Sequence, residues 1–261
     1  MNKITSLLVP YDFSDAAKAG FRYAVDFAGG RPDLRLRICF ITDTESAVSL
    51  KDAFETLISG IPKAVRKKIT WTSLSPGSVT GLLKKSREEK PDMIITGTSG
   101  SGDPQGTTKT AEVVMSARCP VLVVPMGTPE EFSLSKIALV LGPNEIDDPS
   151  LLGTLLDVSR TFNARVTVLT IENEAGTYGY SPEEERNEHL LEYYLESFYS
   201  HHAYIKNENV VEGIFDYVNT HEIDMIAILP RKHSRPGTPS EGRLTRILTL
   251  QTKTPLLAIE H

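Results

Sequence analysis

The sequence has few of the residues and runs that would place it in several common protein classes. Only two of its 261 residues are cysteines, Cys39 and Cys119, and both lie in or beside apolar runs. This favours buried free thiols in a reducing cytoplasm over a disulfide or a metal site. No apolar run approaches the roughly 20 residues needed to cross a bilayer, and no signal peptide precedes the apolar run 4–9. We therefore expect a cytoplasmic protein without a membrane partner.

The chain also has no excess of positive charge and none of several common catalytic motifs. The formal net charge is −6 at pH 7, which argues against a broad nucleic-acid-binding surface. The chain contains no Gly-x-Ser-x-Gly elbow, no Lys-Ser/Thr phosphate loop and no paired zinc-ligand spacing. We expect a protein that is not an enzyme, has no metal site and does not bind nucleic acid.

An internal repeat is present. The triplet Asp92-Met93-Ile94 recurs as Asp224-Met225-Ile226, and the apolar runs 4–9 and 120–122 recur in the same order at 137–141 and 255–257. Three colinear matches at nearly one spacing indicate tandem domains, which we place at residues 1–128 and 133–261.

Apolar runs alternate with amphipathic segments in both halves. In the first half the predicted strands are 4–10, 34–42, 69–74, 93–96 and 121–124, and the predicted helices include 15–29 and 46–67. This order is typical of βαβ units, so the predicted fold is α/β with two tandem doubly wound, Rossmann-like domains. Ligands of such sheets bind beyond the carboxyl ends of the strands, where Asp12, the 40–42 strand end and the Gly97 loop are expected.

A glycine-rich turn in residues 92–125 is the strongest local feature. Gly97 and Gly100 follow an apolar run and precede a short amphipathic helix. Glycines let a backbone approach a ligand closely, and a helix start favours a phosphate.

Three segments together resemble the universal stress protein family: VPYDFSD (9–15), IITGTSG (94–100) and CPVLVVP (119–125). Both halves together resemble the tandem form of the family. The resemblance implies a cytoplasmic stress-response protein whose domains each have a five-stranded, mainly parallel sheet with helices on both faces. Many members of the family bind ATP, and others lack the motif and do not.

The resemblance implies a nucleotide site in domain 1. Its residues would be Pro10, Tyr11, Asp12, Phe40, Gly97, Gly100, Thr107 and Thr108. The ligand would be ATP or a related adenine nucleotide, with or without Mg²⁺, and weak ATP hydrolysis stays open. The chain departs from the family where a Gly-Ser/Thr pair is expected. Counting back from Cys119-Pro120 puts Thr107-Thr108 there, so the glycine is replaced, whereas a one-residue shift would restore the pair as Gly106-Thr107. The stretch after Gly100 is also short.

Each of these residues also has a structural interpretation. Asp12 is either a nucleotide ligand or a turn residue, and the Thr107-Thr108 pair either contacts phosphate or caps a helix. The alternative function is a nucleotide-independent stress-response scaffold or interaction protein in which both sites are degenerate. A third hypothesis is an enzyme of the adenine-nucleotide α-hydrolase-like group.

The second half departs further from the family motif. Gly142-Pro143 stands where the aspartate belongs, and Pro230 removes a backbone donor. The basic residues Arg231, Lys232, His233, Arg235 and Arg243 form either a solvated loop or an anion site. Strands 121–124 and 256–259 are expected to pair within the chain and form a pseudo-dimer. A homo-oligomer or a protein partner stays open.

Overall fold

Strands and helices alternate along the chain in a computed structural model, which describes residues 3–29, 31, 33–42, 47–74, 79–100, 108–141, 146, 149–172, 182–229 and 240–259. The first half contains β1 (Ser6–Tyr11), α1 (Asp15–Gly29), β2 (Arg35–Ile41), α2 (Ala47–Ile58), α3 (Lys63–Arg66), β3 (Ile69–Leu74), α4 (Val79–Glu89), β4 (Met93–Thr98), α5 (Lys109–Ser116) and β5 (Val121–Pro125). The second half contains β6 (Lys136–Val140), α6 (Leu152–Phe162), β7 (Arg165–Glu172), α7 (Pro182–Leu195), β8 (Tyr199–Lys206), α8 (Val210–Thr220), β9 (Met225–Ile228), α9 (Ser240–Gln251) and β10 (Leu256–Ala258).

The described strands form one ten-stranded sheet in the order β3-β2-β1-β4-β5-β10-β9-β6-β7-β8. Every neighbouring pair is parallel except β5 and β10. Central strands such as β4 and β9 are apolar on both faces, as expected where helices cover both sides of a parallel sheet. The predicted α/β fold with a mainly parallel, doubly wound sheet in each half is confirmed.

The pairing expected between the last strands of the two halves is present. Val123 lies opposite Leu256, and Val121 lies opposite Ala258, in an antiparallel ladder. Each strand thereby satisfies backbone groups that would otherwise be left at an apolar sheet edge. The ladder makes the two five-stranded halves one continuous sheet.

Two helical layers cover this sheet. Helices α1, α2, α3, α6 and α7 pack on one face, and α4, α5, α8 and α9 pack on the other. Each layer therefore contains helices from both halves. In the first layer, the rings of Phe27 on α1 and Phe162 on α6 lie 4.9 Å apart. Within the described ranges, no helix combines the length and apolar character needed to cross a membrane.

The helix predicted over 46–67 is two helices in the structure. Helix α2 ends at Ile58, and α3 begins at Lys63 after Pro62. Gly60 and Pro62 lie in the gap, and proline disfavours a helical conformation for Ile61 before it. The predicted helix was wrong in this respect, because it was drawn as one amphipathic segment across the break.

The repeated aspartates occupy equivalent places in the two halves. The Asp92 carboxylate accepts hydrogen bonds from the backbone N–H groups of Thr5 at 2.8 Å and Ser6 at 2.9 Å. Asp224 accepts in the same way from the N–H groups of Ser135 at 2.7 Å and Lys136 at 2.9 Å. Each aspartate thus joins the start of one central strand, β4 or β9, to the start of its neighbour, β1 or β6.

Candidate functional site

A cleft of about 440 Å³ lies at the carboxyl ends of β1 and β4. The chain continues from β1 to β2 on one side of this point and from β4 to β5 on the other, so the cleft lies at the topological switch point of the first half. Its walls come from the end of β1 with the start of α1, the end of β2, the start of α4, and the end of β4 with the start of α5.

Asp12 lines this cleft directly after β1. Its Oδ1 accepts hydrogen bonds from the Ser14 hydroxyl at 2.6 Å and the Ser14 N–H at 3.2 Å. Ser14 Oγ in turn accepts the Ala17 N–H at 3.2 Å, which caps α1. Asp12 is therefore a turn residue, and its exposed carboxylate also lies on the cleft wall.

A second carboxylate, Asp15, lines the same wall. Lys18 Nζ lies 2.7 Å from Asp15 Oδ1. The hydrogen bond and the positive charge of Lys18 hold the pKa of Asp15 below its usual value, so this side chain is ionised at neutral pH. The α1 side of the cleft is consequently acidic.

Gly97 lies at the end of β4, where α1 approaches the sheet closely. A Cβ at Gly97 would lie 1.7 Å from the Ala16 carbonyl oxygen, and a Cβ at Gly20 would lie 2.6 Å from the Gly97 nitrogen. No side chain fits between these two backbones. Packing of α1 on β4 thus requires glycine at position 97, whether or not a ligand is bound.

Gly100 has a different structural requirement. Its φ is +72°, in the left-handed region that favours glycine, and its N–H donates to Thr98 Oγ1 at 3.1 Å. A Cβ at this position would lie 3.1 Å from the carbonyl oxygen of Leu250, on α9 of the second half. The glycine turn of the first half therefore contacts a helix of the second.

The start of α5 forms another wall of the cleft. Thr108 is its N-cap, and Thr108 Oγ1 accepts the Ala111 N–H at 3.1 Å. Thr110 Oγ1 donates to the Gly97 carbonyl at 3.0 Å, which fixes α5 to the end of β4. Thr108 has the capping role that was one of its two interpretations. Thr107 lies outside the described residues.

The remaining wall of the cleft is apolar, and sequence reasoning predicted only part of it, namely Pro10 and the strand end at 40–42. It consists of Ile41, Val79, Leu82 and Val113 with the ring of Pro10. The α4 residues could not have been assigned to this site locally, because their contact with β1 and β4 is long-range. Ile41 lies in the strand end that was expected here, and strand alternation puts it on the same sheet face as Cys39, the side covered by α4.

Phe40, the predicted site residue on β2, points to the other face of the sheet. Its ring is fully buried and stacks on Phe13 at 5.5 Å, with Tyr11 at 5.8 Å and Trp71 at 5.8 Å. Its strand neighbour Ile41 lies beside the cleft instead. Tyr11 does line the cleft, but its ring belongs to the same aromatic cluster, and burial raises the pKa of its hydroxyl.

Lys109 is another cleft residue that the sequence analysis did not select. It is exposed and is the first residue of α5. The only sequence signal for it was its position immediately after the Thr107-Thr108 pair. It adds a basic residue to a cleft that Asp12 and Asp15 also line.

The corresponding region of the second half is only partly described. Residues 142–145 and 230–239 lie outside the described residues, and with them the Gly142-Pro143 pair and the basic residues 231–235. Within the described part of the chain, no group of three or more His, Cys, Asp and Glu side chains could hold a metal ion. His202 lies 2.9 Å from Thr170 Oγ1 and 3.1 Å from the Tyr204 hydroxyl.

Comparison with known proteins gives one family match. The sequence model of the universal stress protein family matches residues 3–125. Among curated proteins, none is similar enough in sequence to count as a match.

Several solved structures resemble the whole chain. A universal stress protein from Archaeoglobus fulgidus DSM 4304 is 12% identical, with 98% of each chain covered and a TM-score of 0.70. A putative universal stress protein from Pseudomonas aeruginosa UCBPP-PA14 is 15% identical, with 99% of this chain and 94% of the other covered and a TM-score of 0.65. The cytoplasmic domain of a prokaryotic cation chloride cotransporter is 11% identical, with 99% and 96% covered and a TM-score of 0.57. At these identities the likeness shows the fold.

Proposed function

Because the chain belongs to the universal stress protein family, which its first half matches directly and whose fold its second half repeats, we propose that its first half binds ATP or a related adenine nucleotide in the cleft between β1 and β4. One observation carries this proposal. Asp12, Gly97 and the start of α5 line one cleft at the switch point of a parallel sheet, whereas Gly100 is not among its lining residues. A volume of about 440 Å³ is in the range of small-molecule sites.

The two kinds of wall suit the two ends of a nucleotide. Ile41, Val79 and Leu82 offer an apolar surface for a purine ring. Asp12 is a hydrogen-bond acceptor for ribose hydroxyls. The first N–H groups of α5 have no acceptor within the helix, and the helix dipole favours an anion beside them.

We further propose that the nucleotide is a regulatory ligand and is hydrolysed weakly or not at all. No histidine is among the described residues that line the cleft. In this proposal the Asp12 carboxylate contacts the ribose, and Ser14 engages its Oδ1, so it is not beside the phosphate chain as a general base. We also propose a cytoplasmic location, which the absence of a disulfide between Cys39 and Cys119 supports.

Isothermal titration calorimetry with adenine nucleotides tests the proposal. We expect ATP or AMP to bind the wild type, and we expect Asp12→Ala to weaken binding about tenfold or more, because a charge-assisted hydrogen bond is lost. Asp33→Ala is the matched control. It also removes one exposed carboxylate, but from the turn before β2, at the amino end of that strand, whereas the cleft lies at the carboxyl ends of the strands. An absence of binding by the wild type, or equal affinity in Asp12→Ala, would overturn the proposal.

A nucleotide-independent interaction protein is the second candidate function. It is favoured because residues predicted to bind the nucleotide have structural roles of their own. Thr108 caps α5, and the close packing of α1 on β4 by itself accounts for Gly97. Under this alternative the adenine series gives no binding heat. Asp12→Ala would then change only the stability of the turn before α1.

A further inference from the structure

The position of Lys109 is unfavourable for the helix that contains it. Lys109 is the first residue of α5, where the helix dipole is positive and a basic side chain is disfavoured. Lys109 is exposed and lines the cleft. An anion bound beside Lys109 would be attracted by both the ammonium group and the helix start. It would thereby offset the repulsion between these two positive groups.

The charge balance of the cleft limits how much negative charge it can accept. Of the described residues that line it, Lys109 is the one cation, whereas Asp12 and Asp15 are both carboxylates. Lys18 offsets part of this acidity, but its ammonium group is bonded to Asp15. Each phosphate added to a nucleotide brings further negative charge towards these carboxylates.

Among the described residues at the start of α5, few hydrogen-bond donors are left for a ligand. Thr110 Oγ1 donates its proton to the Gly97 carbonyl, and the Ala111 N–H is bonded to Thr108 Oγ1. At the start of α5 this leaves the N–H groups of Lys109 and Thr110 and the Lys109 ammonium group. These three donor groups match the three terminal oxygens of one phosphate.

From this balance we propose that the cleft selects an adenine nucleotide with a single phosphate over a triphosphate, and that Lys109 is the residue that binds that phosphate. The proposal rests on the proposed function and narrows its ligand class. Asp15 contributes to the selection by repelling the additional phosphates of ATP.

Calorimetric titration with adenosine, AMP and ATP at matched ionic strength, with and without Mg²⁺, tests both parts. We expect AMP to bind the wild type about tenfold or more tightly than ATP. Lys109→Met should weaken AMP about tenfold or more and leave adenosine unchanged, because only the phosphate contact is lost. Lys109→Arg should retain most of the AMP affinity. Lys109 is exposed, so both variants should fold, and circular dichroism checks this.

Asp15→Asn tests the repulsive part. It should raise the affinity for ATP more than that for AMP and so narrow the gap between them. ATP affinity equal to or greater than that of AMP would overturn the inference while leaving adenine-nucleotide binding intact. An AMP affinity unchanged by Lys109→Met would also overturn it. If adenosine, AMP and ATP all fail to bind, the proposed function and this inference both fail.

Discussion

Asp157, on α6 of the second half, lies 2.8 Å from the guanidinium of Arg31, between α1 and β2 of the first half. The two side chains are 12% and 6% exposed, so the ion pair is buried. Asp157 Oδ2 also accepts the Ile4 N–H at 2.9 Å, just before β1. One carboxylate thus joins the two halves.

Asp157→Ala should therefore lower the free energy of unfolding by about 3–5 kcal/mol, because the Arg31 charge would stay buried without its partner. Urea unfolding followed by circular dichroism measures the loss. Asp33→Ala is the control, since its pair with Lys3 at 2.6 Å is 39% and 61% exposed. It should cost less than about 1 kcal/mol. Equal losses in the two variants would contradict a structural role for the buried pair.

Asp92 should make stability depend on pH in the acid range. Burial alone would raise its pKa, but hydrogen bonds from Thr5 and Ser6 outweigh burial and leave the pKa below the ordinary 3.8. The folded state therefore binds this proton less readily than the unfolded state. The resulting stabilisation is present above the unfolded pKa and is lost as pH falls through the folded value.

Unfolding free energies measured between pH 6 and pH 3 check this expectation. The wild type should lose stability as pH falls below about 4, and Asp92→Asn should show a shallower dependence because it has no carboxylate to protonate. An identical pH dependence in the two proteins would mean that Asp92 does not contribute in this range.

The close approach of α1 to β4 predicts that Gly97→Ala is severely destabilising. Its Cβ would lie 1.7 Å from the Ala16 carbonyl oxygen, and both backbones are held by regular structure. We expect a loss of more than about 3 kcal/mol in the free energy of unfolding, or failure to fold. Gly29→Ala at the end of α1 is the matched control. A Cβ there meets no atom within 4 Å, and alanine should stabilise the helix by about 0.5–1 kcal/mol. Wild-type stability in Gly97→Ala would contradict the described packing.

Local patterns were sufficient to predict much of the architecture. The alternation of apolar runs and amphipathic segments indicated the parallel sheet, and the repeated Asp-Met-Ile triplets marked strands that occupy equivalent places. Asp92 and Asp224 recur because each satisfies the first amides of a neighbouring strand, so the sequence repeat follows from a repeated hydrogen-bond pattern. Ser14 could also be identified as a cap, because capping depends on residues within one helical turn.

The composition of the cleft could not be predicted in the same way. Phe40 and Ile41 are adjacent and both apolar, and only the sheet face decides which of them lies beside the cleft. Val79 and Leu82 are brought to β1 and β4 by a crossover that no local pattern specifies. Thr108 satisfied both a capping and a phosphate-binding interpretation, and only the Ala111 hydrogen bond identified its capping role.

Hydrogen–deuterium exchange with and without saturating AMP tests the central claim most directly. If the first half binds an adenine nucleotide between β1 and β4, amides at 97–100 and 109–113 should exchange more slowly with AMP, whereas those of β9 at 225–228 should not change. Unchanged exchange throughout the chain with AMP and also with saturating ATP, or protection confined to the second half, would contradict a nucleotide site in the first-half cleft.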